Sequence, residues 1–419
     1  MRPAFVFLVL STAAWAWQEP PAKPQPGLSG QIRQRMAANL AGLPNYTCLE
    51  TIDRTLRRQP GKKLLFRDRI RMEVAFIEAS EMFSWPGAAS FEADLLEKLP
   101  ETGASGAGSF GGWTRSLFGP AAPSLAGGGE CMVEGRRGLR YNFSMPVESS
   151  KYAVTSGPGA AIMPYTGSLC VDPGALDIML LEVQARQTPP PLATMSETIH
   201  YGRARIGEAD FLLPLDHELT VTDVEGKENR SFTRFTACRG YTAESSIAFD
   251  TEHRAAAVPS TKVEELHLPD GVQLELLLET PINSEESAVG GPITARLDRA
   301  IRASGVSIPT GATVSGRILG LEQYFEPEDY FIVSLEFTSL TFGDKRAQFH
   351  ARLVGPRPHD DRRLTINGVN MDHPIPSGLD ILDSAPGAGV FRVLAGKLRL
   401  SRGLPMTWKT ISTAETPRR

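Results

Sequence analysis

The sequence GRRGLRYNFSM at residues 135–145 indicates the fold class. From Leu139 onward, apolar and polar residues alternate one by one. Because successive side chains of a strand point to opposite faces of a sheet, this alternation predicts a half-buried β-strand. The stretch FIVSLEFT at residues 331–338 has the same pattern, with apolar residues at 331, 333, 335 and 337. We therefore look for a sheet on both sides of these two segments.

The composition of the chain supports a protein that consists mainly of β-sheet. Gly and Pro number 39 and 32 among the 419 residues. Together they make up about 17% of the chain, against a usual background of about 12%. This excess favours turn-rich β structure over long helices, and the length favours two domains over one. We expect a mainly β (α+β) fold, with a curved antiparallel sheet that wraps helices, followed by a β-barrel-like domain.

The charge balance argues against a nucleic-acid partner. Lys and Arg number 44 and Asp and Glu number 48, which gives a formal net charge of −4. Proteins that hold a phosphate backbone need a basic surface, and the overall composition offers none.

The beginning of the chain indicates export. Residues 1–16 have the pattern of a secretory signal, with a positive charge at Arg2, an apolar run, and a small-x-small cleavage site at Ala14-Trp15-Ala16. The alternative is a membrane anchor, but the apolar run is shorter than the about 20 residues that a spanning helix needs. Residues 17–28 follow as a Pro-rich leader. We expect a periplasmic or secreted protein with no transmembrane anchor after cleavage.

Residues 29–252 form the first predicted domain. A helix is expected from Ser29 to Leu43, and a second short helix from Phe91 to Leu99. The aromatic cluster at residues 110–118 is expected to dock a third, short helix, and residues 121–129 are expected to form a flexible loop. The other segments read as an antiparallel meander of about eight strands.

The chain has four cysteines, and none forms a C-x-x-C pair. In an exported protein this argues against a zinc ribbon and for disulfides. We favour Cys48 with Cys238, since they lie in the first and last strand-like segments of one region, and Cys131 with Cys170, which bracket a predicted hairpin. The alternative is four buried free thiols.

Residues 261–412 form the second predicted domain, which we expect to be β-barrel-like. It begins with an alternating strand at residues 272–279. Residues 292–303 are interpreted as a helix, because Ile293, Leu297 and Ile301 repeat at helical spacing. Further strands are expected at residues 390–400 and 406–410.

Standard catalytic signatures are missing from the sequence. It contains no G-x-S-x-G serine elbow, no H-E-x-x-H zinc helix and no phosphate-binding Walker motif. The seven histidines are scattered singly, and His359 and His373 each have a carboxylate neighbour. Adjacent residues of this kind usually mark solvated turns. We therefore predict no catalytic residue, no metal site and no cofactor.

The apolar face of the 139–145 strand is the candidate ligand-binding surface. Leu139, Tyr141, Phe143 and Met145 are the candidate liners, and Arg137 could meet an anionic head group. Two ordinary alternatives stay open. The apolar face can be a core face beneath the helices, and the arginine can belong to a solvated strand edge.

Two resemblances follow from these segments. Residues 30–250 resemble the half-barrel of LolA and RseB, and the whole chain is similar to exported proteins of unknown function that are common in Acidobacteria. The first resemblance rests on the opening helix and on GRR at 135–137, GSLCVD at 167–172, YG at 201–202 and FLLP at 211–214. It implies a sheet that wraps helices and binds lipoprotein acyl chains or peptides in its concavity.

The second resemblance covers residues 268–318. The segments LPDG at 268–271, GGP at 290–292 and SIPTGATVSG at 307–316 resemble the C-terminal β-barrel of TrbI/VirB10-type envelope proteins. That barrel serves assembly rather than catalysis, so this resemblance implies an envelope protein as a partner.

These observations favour a non-catalytic, exported envelope protein that binds a lipid, a lipoprotein acyl chain or another hydrophobic ligand in the concave face of its first sheet. The alternative is a periplasmic scaffold that docks on another envelope protein through its second domain. A hydrolase with a dispersed site is the third hypothesis.

Overall fold

The chain folds mainly into antiparallel β-sheet, which confirms the predicted fold class. The computed structural model describes residues 27–58, 63–77, 80–88, 90–92, 95–99, 102–106, 109–119, 121–155, 160–185, 187–241, 264–303, 305–355, 379–382 and 387–412. The predicted signal segment, nearly all of the Pro-rich leader, the domain boundary between 252 and 261, and the segments around His359 and His373 lie outside these residues.

The first group of strands forms one antiparallel sheet with two helices packed on it. Its elements are α1 (Leu28–Gly42), β1 (Tyr46–Arg58), β2 (Lys63–Ile77), β3 (Ser80–Ser84), a 3-10 helix (Leu95–Lys98), α2 (Gly112–Phe118), β4 (Ala126–Val133), β5 (Arg136–Met145), β6 (Ala153–Thr155), β7 (Ala160–Ile162), β8 (Tyr165–Val171), β9 (Ile178–Ala185), β10 (Leu192–Ile206), β11 (Ala209–Asp223) and β12 (Lys227–Gly240). The pairing order is β3-β2-β1-β12-β11-β10-β9-β8-β5-β4, and β6 pairs with β7 separately.

The two helices cover one face of this sheet. Ile32 and Met36 of α1 and Trp113 and Leu117 of α2 are buried in one cluster with the apolar side chains of β5, β8, β9 and β10. The alternating apolar side chains of each strand point toward the helices, because their burial there removes apolar surface from water.

Both predicted disulfides are confirmed. Cys48 in β1 is bonded to Cys238 in β12, and Cys131 in β4 is bonded to Cys170 in β8. All four cysteines are paired, so the alternative of free thiols is wrong. The first bond joins strands that are hydrogen-bonded neighbours, and the second passes over the strand between its two partners.

The second group of strands forms an open sheet. Its elements are β13 (Glu264–His267), β14 (Gln273–Leu278), β15 (Ile282–Asn283), β16 (Pro292–Leu297), β17 (Ile301–Ala303), β18 (Val306–Ile308), β19 (Thr313–Tyr324), β20 (Tyr330–Phe342), β21 (Lys345–Gln348), β22 (His350–Gly355), β23 (Leu379–Leu382), β24 (Gly389–Leu394), β25 (Arg399–Leu400) and β26 (Pro405–Ile411). The main pairing order is β22-β26-β14-β16-β19-β20-β24-β23.

The expectation of a barrel is wrong, since this sheet is not closed. The available edge of β20 is divided between β24, at residues 330–335, and β21, at residues 339–342. Between these two stretches, the Phe349 N–H donates to the Thr338 carbonyl oxygen of β20 at 2.9 Å.

Three local predictions are also wrong. Residues 292–303, expected to be a helix, form β16 and β17, because Ile293, Ala295 and Leu297 alternate into the core while β14 and β19 supply hydrogen bonds on both sides. The expected loop at 121–129 ends in strand β4. The expected helix from Phe91 to Leu99 is reduced to the 3-10 turn, because Glu92 bridges to Phe83 in β3.

The two groups of strands share one edge. Strand β2 pairs with β1 along one side, and its other side is covered in turn by β19 at residues 66–68, by Val289 at Ile70 and by β3 at residues 73–77. A single buried cluster contains side chains from both groups. The two sheets are therefore joined by hydrogen bonds and by a common core.

Candidate ligand pocket beside helix α2

The predicted liners lie beneath the helices. Leu139, Tyr141, Phe143 and Met145 are 9%, 2%, 5% and 2% exposed and pack against α1 and α2 in the core. This arrangement is that of a core face. Met145 differs from the other three, because it also forms part of the wall of a cavity.

Arg137 does not approach that cavity. It is exposed near the start of β5 and pairs in register with Met132 of β4. Its neighbour Arg136 forms an ion pair with Asp172 at 2.6 Å. The predicted arginine and the predicted apolar liners are thus not brought together.

The cavity has a volume of about 350 Å³ and lies beside α2. Its walls come from α2 and the turn after it, from the end of β5, from the segment that leads to β6, and from β8. The lining residues are Gly112, Trp113, Arg115, Ser116, Gly119, Ala121, Met145, Ser149, Lys151, Tyr152 and Tyr165.

Three aromatic rings form the inner wall. Trp113 lies 5.0 Å from Tyr152 and 5.1 Å from Tyr165 between ring centroids, and the two tyrosine rings are 5.8 Å apart. The Tyr165 ring is nearly perpendicular to both others, an arrangement that aromatic quadrupoles favour. Ser116 and Tyr165 are joined by a hydrogen bond of 2.8 Å between their hydroxyl groups, so the ring faces are left for apolar contacts.

Helix α2 is held in place at its start by a carboxylate. Glu81 of β3 accepts hydrogen bonds from the backbone N–H groups of Gly111 and Gly112, at 2.8 and 3.1 Å. These donors have no partner inside the helix, and a negative charge at this end also suits the helix dipole. Trp113 and Leu117 then bury the inner side of the helix, which leaves Arg115 and Ser116 at the cavity.

A buried carboxylate lies behind the aromatic wall. Glu197 of β10 is 5% exposed and accepts hydrogen bonds from Trp113 Nε1, at 2.8 Å, and from the Tyr152 hydroxyl, at 2.5 Å. His217 Nε2 of β11 lies 3.0 Å from Glu197 Oε2, but its N–H group is not aligned for a hydrogen bond. The carboxylate therefore fixes the orientation of two of the three rings.

The electrostatics keep this carboxylate ionised. Burial alone raises the pKa of Glu197, but the contact with His217 and the hydrogen bonds from Tyr152 and Trp113 outweigh it and lower the pKa below its ordinary value. Burial, and then the charge of Glu197, raise the pKa of Tyr152, so its hydroxyl stays a donor. The aromatic side chains at the cavity are therefore uncharged, and the ionised carboxylate of Glu197 lies directly behind them.

Two cations lie at the cavity. The guanidinium carbon of Arg115 is 4.6 Å from the ring centroid of Phe76, and its Nε is buried without a hydrogen-bond partner. Lys151 is exposed. Among the lining residues that the structure describes, none carries a carboxylate.

Sequence reasoning placed Trp113 in a docking cluster but missed Glu197, His217 and Lys151. One signal for Glu197 is present in the sequence. The side chains of β10 that alternate into the core are Met195, Glu197, Ile199 and Tyr201. Glu197 is the charged one among these four. A carboxylate in the apolar phase of a strand needs partners, which indicates a buried polar cluster.

Within the described ranges, no group of three or more His, Cys, Asp or Glu side chains is placed to hold a metal ion. Likewise, none of the helices described above is long and apolar enough to cross a membrane.

Comparisons with known proteins assign no family. No protein-family model matches the chain, and no curated protein sequence matches it. A crystal structure of a DUF1329 family protein from Desulfovibrio piger ATCC 29098 aligns with 52% of this chain and 95% of its own, at 12% sequence identity. The TM-score is 0.26. A value this low does not establish a shared fold.

Proposed function

We propose that this protein is a non-catalytic binding protein of the cell envelope that holds an apolar ligand, such as a lipid or a lipoprotein acyl chain, in the pocket beside α2. The observation that carries the proposal is the wall of three aromatic rings and Met145 around about 350 Å³. Apolar surface buried in such a pocket contributes about 25 cal/mol per Å². The size falls in the range of small-ligand sites.

The proposed location rests on separate observations. Residues 1–16 have the pattern of an export signal, and both disulfides belong to an oxidising compartment. A periplasmic or secreted protein would meet lipids and lipoproteins there.

The alternative of a docking scaffold has no comparable support on β20. A large exposed apolar patch on this strand would favour it. Instead, Phe331, Val333, Leu335 and Phe337 are each at most 2% exposed and belong to the core. The structure therefore favours the pocket over this surface as the site of function.

The test is a variant that fills the pocket. Ala121 is exposed and lines the cavity, so Ala121→Trp places an indole there without replacing a core side chain. Ala209→Trp is the matched control, since Ala209 is also exposed and is the first residue of β11, outside the cavity. We expect the first variant to weaken the binding of a fluorescent apolar probe at least tenfold and the control to leave it unchanged.

Mass spectrometry of an organic extract identifies the natural ligand. The protein is purified without detergent beside a mock purification. We expect a lipid in stoichiometric amount with the wild type and its loss with Ala121→Trp. An extract without lipid, together with equal probe binding by both tryptophan variants, would contradict the proposal.

A further inference from the structure

We infer that the ligand of this pocket carries an anionic group, a carboxylate or a phosphate, which is bound at the mouth by Arg115 and Lys151. The inference rests on the proposed function and deepens it, because it assigns a chemical class and an orientation to the ligand. Two cations from different segments and no lining carboxylate among the described residues make the mouth positive.

Arg115 has unused donor capacity. Its guanidinium is held over the Phe76 ring, so the side chain is oriented before any ligand binds. Its Nε is buried and makes no hydrogen bond within the described structure. A guanidinium can donate several parallel hydrogen bonds to one carboxylate or phosphate. No hydrogen bond from the terminal N–H groups of Arg115 occurs among the described residues, so these groups, rather than the buried Nε, would bind an anion at the mouth.

Glu81 is bound to the start of α2. The Glu81 carboxylate accepts from two backbone N–H groups at the start of α2.

Lys151 supplies the second charge from the segment between β5 and β6. It lies one residue before Tyr152 and is exposed, and no ion pair of its side chain occurs among the described residues. The flexible side chain of a lysine at the rim of a pocket can keep its ammonium group close to an anionic head group in different positions. It also attracts anions before they bind, an effect that salt screens.

Glu197 sets the direction of the ligand. Its charge lies behind Trp113 and Tyr152, at the inner side of the pocket. An anion placed deep in the cavity would approach this carboxylate, whereas an anion at the mouth lies near Arg115 and Lys151. The apolar chain therefore contacts the rings and Met145, and the charged group stays outside.

The experiment compares ligands that differ in the head group alone. Decanoate, decyl phosphate, decanol and decyltrimethylammonium compete with the fluorescent apolar probe on the purified full chain. We expect decanoate or decyl phosphate to bind at least tenfold more tightly than decanol, and the cationic amphiphile to bind more weakly than decanol. The ratio of the two anions distinguishes a carboxylate ligand from a phosphate ligand.

Variants assign the effect to the two cations. Lys151→Ala should weaken binding of the anions three- to tenfold and leave decanol unchanged, and Arg115→Lys should weaken them while keeping the charge. Arg137→Ala is the control, an exposed arginine outside the pocket. Equal affinities for decanoate, decyl phosphate and decanol would overturn the inference and leave the proposed function standing. Failure of all four compounds and of the probe to bind would overturn the proposed function itself.

Discussion

Glu50 is a buried carboxyl group in the core of the first sheet. It lies in the inward phase of β1, is 3% exposed, and has no hydrogen-bond partner on Oε2. Burial, together with the nearby charge of Glu81, raises its pKa to about 8. The group is therefore protonated in the folded protein at neutral pH, whereas it is ionised in the unfolded chain.

This difference predicts a pH-dependent stability. Between about pH 4.5 and 8 the folded state binds a proton that the unfolded state has lost, so the free energy of unfolding falls as the pH rises. We expect Glu50→Gln to remove this slope. At pH 8.5 the variant should be more stable than the wild type by on the order of a few kcal/mol, and at pH 4.5 nearly equal to it.

Urea unfolding at the two pH values measures the effect. Glu148→Gln, which replaces an exposed carboxylate, is the control and should follow the wild type. Parallel pH profiles for the wild type and Glu50→Gln would show that the Glu50 carboxyl group is not protonated in the fold.

Strand β5 lies under a disulfide, and this position requires a residue without a side chain. Cys131 of β4 and Cys170 of β8 are bonded past Gly138, with 6.0 Å between their Cα atoms. A Cβ atom at Gly138 would lie 2.7 Å from Cys170 Sγ and 2.9 Å from the Val171 carbonyl oxygen. Neither neighbour is the end of a flexible side chain.

Gly138→Ala should therefore destabilise the protein by about 1–3 kcal/mol, the usual cost of overpacking. Gly355→Ala in β22 is the matched control, because a Cβ there meets nothing within 4 Å. The midpoint of thermal unfolding, measured for both variants, tests this prediction. Equal midpoints for the two would mean that the sheet can move away from the disulfide at no cost.

The two sheets are joined along β2, and Gly290 lies at this junction. Its φ is +87°, and a Cβ there would lie 2.3 Å from the Arg71 carbonyl oxygen and 2.5 Å from the Trp85 ring. Arg71 lies in β2 and Trp85 directly follows β3, both of the first group, and Gly290 precedes β16 of the second. A side chain at this position would push the two groups apart.

We expect the wild type to unfold in one cooperative transition, because the core and the hydrogen bonds cross the junction. Gly290→Ala should broaden this transition or split it in two. Gly271→Ala carries the same backbone strain, at φ +83°, but its Cβ meets only the end of Lys409, so a single transition should remain. Calorimetry distinguishes these outcomes, and two transitions already present in the wild type would contradict the coupling.

Local patterns were sufficient for much of the fold. The alternation at residues 139–145 and 331–337 correctly predicted β5 and β20. The period of a half-buried strand can be recognised from the strand's own residues, without knowledge of its neighbours. The disulfide partners were also found, since each pair lies in segments that strand order alone brings together.

Tertiary structure decided what local patterns left open. Ile293, Leu297 and Ile301 fit a helical stripe as well as two short strands, and the hydrogen bonds from β14 and β19 select the strands. The candidate site depends on the fold in the same way. Arg115, Lys151 and Tyr165 are far apart in the sequence, and they line one cavity only because α2 packs onto the sheet beside β8. Glu197 of β10 lies behind that cavity, where it binds Trp113 and Tyr152. The period of the strands and the pairing of the cysteines could be predicted from the sequence, because both are local or pairwise properties. Which face holds a cavity, and which charges surround it, follows from packing between distant segments.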